Sequence, residues 1–86
     1  MIAEISSLVG LYEPNSQTHR SLSTALHFAY AGDWIMCESA LRYAKSAAPR
    51  HLKGLAAEQI NPIIDAVDAL LSARRRVEKA CDQVLP

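Results

Sequence analysis

Gly32-Asp33-Trp34 decides how this chain folds. Glycine takes the left-handed conformation that closes a helix, with no Cβ to oppose it. Aspartate at position 33 is suited to cap a following helix, accepting from N–H groups that the first turn leaves free. Trp34 then opens the apolar stripe of that second helix. These residues specify a tight helix-turn-helix hairpin.

The flanking segments agree. Before the turn, Leu22, Ala25, Leu26 and Ala29 fall at helical spacing, and Ser16 is placed to cap them. After it, Trp34, Cys37, Leu41, Ala44 and Ala48 alternate by three and four residues, the spacing of a helix seam, and Pro49 ends the run. Ile2, Ile5, Leu8, Val9 and Tyr12 predict a first helix from Ile2 to Tyr12, stopped by Pro14-Asn15.

Arg50 to Gly54 reads as a loop, with at most a helical turn from Leu55 to Gln59. Asn61-Pro62 predicts the start of the last helix, because Asn caps well and proline suits the first helical position. Proline also disfavours helical geometry at Asn61, so a kink is the alternative. Ile60, Ile63, Val67, Leu70, Arg74, Val77, Cys81 and Val84 keep the three-four spacing, widened by Ile64 and Leu71. Arg74 is the one polar member, and the part beyond Leu71 is expected to project past so small a core.

The expected fold is all-α: a small bundle with a short amino-terminal helix, a tight hairpin and a long carboxyl-terminal helix, forming one domain over residues 1–86. Composition supports it. Half the residues are hydrophobic but only 6% are aromatic, which favours closely packed helices over a sheet. Nine basic residues balance nine acidic ones, so bulk charge gives no reason to expect nucleic acid or an anionic membrane. No apolar run approaches the ~20 residues that span a bilayer. The first residues lack the basic and apolar regions of a signal peptide, so a cytoplasmic protein is expected.

Candidate chemistry is sparse. His19, His27 and His51 lack metal-ligand spacing, and Cys37 and Cys81 lie on apolar stripes as buried thiols without a CxxC pattern. No metal site and no cofactor is expected. Asp65 and Asp68 share a helical turn, but a helix start attracts acids anyway. No nucleophile elbow or glycine-rich phosphate loop is present, and the chain does not read as an enzyme.

Ala25, Phe28, Gly32, Asp33, Trp34, Leu41, Ala44 and Pro49 together resemble a single tetratricopeptide repeat, with Cys37 where that family prefers a small residue. Ser21 and Thr24 depart from the large apolar residues the family favours. The hairpin is also similar to that of three-helix microtubule-interacting-and-trafficking domains. The repeat resemblance implies protein or peptide binding without chemistry. It implies ligand-facing positions at His19, Leu22, Leu26, Ala29 and Tyr30. A lone repeat must have its face covered by the first and last helices or by a second chain.

Arg42, Lys45, Arg50, His51 and Lys53 form a basic cluster with no acidic residue between them, and Tyr43 lies within it. A helix carboxyl end attracts such cations through its dipole, and an acidic partner surface would as well. Arg74-Arg75-Arg76 is a second basic element, open to local pairing with Glu78 or Asp82. Arg74 interrupts an apolar seam, so it must snorkel to water or meet an acid.

The expected function is a non-catalytic protein–protein interaction module acting by steric occlusion or scaffolding. Its partner-binding residues are expected to be His19, Tyr30, Arg42, Tyr43, Lys45, Arg50, Lys53, Arg74, Arg75 and Arg76, facing a protein with an acidic surface. Leu70, Val77, Cys81 and Val84 are expected to form a homodimer seam. Two alternatives stand beside it. One is a small phage or mobile-element inhibitor of a host system, of the anti-CRISPR kind, by analogy of size and lack of motifs alone. The other is a nucleic-acid-binding helical protein that uses the basic cluster. No membrane partner is expected.

Overall fold

The computed structural model describes the backbone of residues 1–84 and the side chains of residues 1–77. It contains α1 (Ile2–Val9), α2 (Gln17–Tyr30), α3 (Trp34–Ala47), a 3₁₀ turn (Arg50–Leu52) and α4 (Lys53–Val84), with no strand among the described residues.

Gly32 has a φ of 77°, the positive value that favours glycine. Its N–H donates to the Ala29 carbonyl at 3.1 Å, and the Asp33 N–H donates to the Phe28 carbonyl at 2.9 Å. These two bonds form a Schellman closure, which serves carbonyls that a helix end leaves free. The Asp33 carboxylate accepts from the Met36 N–H at 3.2 Å. One residue thus closes α2 with its backbone and opens α3 with its side chain.

The helices form a ring. α1 lies on α2, α2 on α3, α3 on α4, and α4 returns to touch α1. Ile5 and Leu8 from α1 meet Leu22, Ala25 and Ala29 from α2 in the shared core. Cys37, Leu41 and Ala44 from α3 and Ala56, Ile60, Ile63, Ile64 and Val67 from α4 complete it. The alanines leave room for close helix approach.

α1 stops at Val9, three residues short of Tyr12. Gly10 is a poor helix former, and the His19 Nδ1–H donates to the Val9 carbonyl at 2.9 Å, serving the helix end. Tyr12 still reaches the core, and its hydroxyl donates to Gln59 Oε1 at 3.1 Å. Ser16 caps α2 by accepting from the His19 N–H at 3.1 Å. α3 ends ahead of Pro49, where Ala48 turns extended, as the residue before a proline prefers.

The larger correction concerns α4. Arg50 to Gly54 is not a loop: a 3₁₀ turn leads directly into a helix from Lys53. Nor does the helix start at Asn61-Pro62, because α4 runs through both residues. Ala56 and Ile60 before the proline and Ile63, Ile64 and Val67 after it lie on one buried face. That continuous burial outweighs the local stop signal. Pro62 and Glu58 are both exposed, so the carbonyl that loses its N–H partner lies on the watery side.

At 1.5 Å per residue the 32 residues of α4 extend ~48 Å, against ~21 Å for the 14 of α3. α4 therefore overhangs the hairpin tip, and the molecule measures 55 × 23 × 17 Å. Among the described residues no helix is long and apolar enough to cross a membrane.

Candidate functional site

The hairpin of α2 and α3 has two faces. Its front is covered by α1 and α4 and carries the core. Its back holds a groove with a volume of about 440 Å³, lined by residues of α2 and α3 alone. On α2 the lining residues are Gln17, Arg20, Ser21, Thr24 and Phe28. On α3 they are Met36, Ser39, Ala40 and Tyr43. The helices run antiparallel, so Arg20 and Tyr43 stand at one end and Phe28 and Met36 at the other. Phe28 packs against the core from this side, while Met36 is 45% and Tyr43 58% exposed. The groove thus has Phe28 and Met36 at one end, small residues in the middle, and Tyr43 beside Gln17 and Arg20 at the other, where it carries its one charge.

Spacing builds this surface. Met36, Ala40 and Tyr43 repeat at four and three residues, a second stripe beside the core stripe of Cys37, Leu41 and Ala44. Gln17, Ser21, Thr24 and Phe28 do the same on α2. Of these lining residues, Tyr43 is among the contact residues expected from the sequence, and Arg20, Phe28 and Met36 are not. The legible signal was Phe28 and Met36, large apolar residues off the core seam.

Arg42 and Lys45 face another way. The Arg42 Nε lies 3.1 Å from Glu38 Oε1, and its Nη2 lies 3.5 Å from Asp68 Oδ2 on α4. Lys45 Nζ donates to Asn61 Oδ1 at 2.8 Å. Two members of the cluster, Arg42 and Lys45, therefore find partners in Glu38 and in α4. A hydrogen bond with Asp68, followed by burial, raises the Glu38 carboxyl above its ordinary range, with Arg42 opposing.

The remaining expected contact residues are dispersed. His19 is half-buried and engaged with Val9. Tyr30 is exposed at the end of α2, and Arg50 and Lys53 are exposed before and at the start of α4. Arg74 and Arg75 border a notch at the hairpin tip with Gly32, Asp33, Trp34 and Leu71, and Arg76 is exposed beside them. Arg74 reaches water, which accounts for its place in the seam, and it has no ion pair among the described residues. Of the positions that the repeat resemblance implies, Leu22 and Ala29 are buried and Leu26 is packed against the core. The protein's own helices occupy that face.

Along the expected dimer seam, Leu70 is half-buried and Val77 is 63% exposed. The side chains of Cys81 and Val84, and those of Glu78 and Asp82 suggested for local pairing, lie outside the described residues.

Cys37 is fully buried, and burial pushes its thiol up to about 11, aided by the negative charges of Asp33 and Glu38. It stays protonated at neutral pH and is neither a nucleophile nor a ready metal ligand. No group of metal-holding side chains occurs among the described residues.

No family model matches the chain, and no curated protein or solved structure matches it.

Proposed function

We propose that this protein is a non-catalytic interaction module that binds another protein through the groove on the back of the α2–α3 hairpin. One observation carries the reading. The core lies on the front face, yet the back face holds Met36 and Tyr43 about half exposed around a shaped cleft. A concave patch of aromatic, methionine and arginine side chains has the composition of an interface core. Occupying a partner's surface would act by steric occlusion or by scaffolding, and a small inhibitor of a host system would work in this way.

The nucleic-acid reading is weaker. Arg42 is engaged with Glu38 and Asp68, and Lys45 with Asn61, which draws these cations away from a phosphate backbone.

The test is affinity capture from the native source with the wild type, Met36→Asp, and Leu55→Asp as an exposed apolar control on α4. A protein retained by the wild type and Leu55→Asp but lost with Met36→Asp supports the groove. Equal retention by all three removes it.

A second element rests on its own observation. We propose that the α4 overhang, with Val77 exposed on it, mediates twofold self-association.

A further inference from the structure

The groove's walls restrict what it can hold. Both are helices, whose backbone N–H and C=O groups are bonded internally. The Thr24 hydroxyl is spent on the Arg20 carbonyl at 3.0 Å. An extended segment laid here would find no sheet edge, only the scattered side chains of Gln17, Ser21 and Ser39 to pair with its own peptide groups. A helix arrives with its backbone already satisfied.

Length and shape agree. From Gln17 to Phe28 the groove runs ~16 Å at helical rise, the length of about three turns. Ser21 and Ala40 keep its middle low between Tyr43 at one end and Met36 at the other. A ridge of side chains at three- and four-residue spacing fits such a channel.

Charge sets the direction. Arg20 is the single ionised side chain in the lining, and no carboxylate lies within ion-pair distance of it among the described residues. We propose that the groove receives one amphipathic α-helix of a protein partner, about three turns long, whose apolar face lies along Phe28, Met36, Ala40 and Tyr43 and whose carboxylate pairs with Arg20. The inference rests on the groove being the contact surface.

The experiment selects from a phage library of helix-scaffolded and unconstrained peptides, against the full chain and against Arg20→Glu. Arg20 is exposed, and circular dichroism checks that the variant keeps its helix content. The wild type is expected to enrich helical peptides with apolar residues at i, i+4 and i+7 and an acid about one turn away. Arg20→Glu is expected to enrich lysine or arginine at that same position. A selected acidic peptide should lose about tenfold in affinity for Arg20→Glu, and its charge-reversed version should regain it. Binders without helical period, or a charge preference that ignores residue 20, overturn the helix proposal while leaving the groove in place. Peptide binding unchanged by Met36→Asp overturns the groove itself. Peptide binding that weakens as the protein self-associates assigns the groove to a second copy. Met36-dependent sedimentation with phosphatidylcholine vesicles assigns it to lipid, and either result also overturns the proposal.

Discussion

Lys45 Nζ donates to Asn61 Oδ1 at 2.8 Å, and this bond fixes Asn61 as a mid-helix residue on the flank of α4. A cap would have turned its side chain toward the N–H groups of its own first turn. Here it reaches sideways to α3, one residue before a proline that lies inside the helix.

Pro62→Ala should therefore stabilise the protein. An interior helical proline is ~3 kcal/mol less favourable than alanine, and the looser unfolded chain returns ~0.4–1 kcal/mol of that difference. Pro62 is exposed and fills no core space. A gain of about 1–3 kcal/mol is expected in urea unfolding. A loss would show that the helix is interrupted there.

Leu41 is fully buried at the centre of the ring, contributed by the helix that lies between α2 and α4. Leu41→Ala should cost about 2–5 kcal/mol through lost transfer energy and the cavity left behind. A loss below about half a kcal/mol, the scale of an ordinary surface substitution, would mean that the core is misplaced.

Glu38 supplies a pH dependence. It faces Asp68 from α4 and Arg42 from its own helix, and Arg75 lines the same cleft. Its raised carboxyl means that the folded state holds the proton more tightly than the unfolded state. The favourable contribution is present below the ordinary value of 4.5 and is lost as pH rises through the raised value. Glu38→Gln keeps the neutral form at every pH. Its stability relative to wild type should rise in urea titrations as pH climbs from 4.5 through the raised value, and level off above it. A difference that does not change with pH would rule out the raised Glu38 carboxyl.

Self-association through α4 should appear in sedimentation equilibrium as an average mass that climbs with concentration. Val77→Asp should abolish the climb, because it places a charge on the exposed apolar position of the overhang. A mass near 9.4 kDa across the micromolar range would exclude the dimer.

What was legible in the sequence was what local bonds decide. Gly32 and Asp33 specify their turn through hydrogen bonds to residues at most five positions away. Ser16 and Pro49 mark their boundaries by the same short reach. The course of α4 was not legible, because burial of Ala56, Ile60 and Val67 is a tertiary term that overrides the local meaning of Asn61-Pro62. Arg42 misled for a similar reason: Asp68 is 26 residues away in sequence but adjacent in space. The groove was half legible. Met36, Ala40 and Tyr43 form a clear stripe, but the core seam beside it accounted for α3 and left the second stripe unread.

The claim that the back of the hairpin is a protein-binding surface is tested most directly by photo-crosslinking in the native cell. A benzophenone amino acid is placed at Met36, at Tyr43 and, as a control, at Leu55, all of which are exposed. One discrete adduct is expected from positions 36 and 43, containing the same partner protein, and none from position 55. Adducts identical at all three positions, or none from the groove, would contradict it.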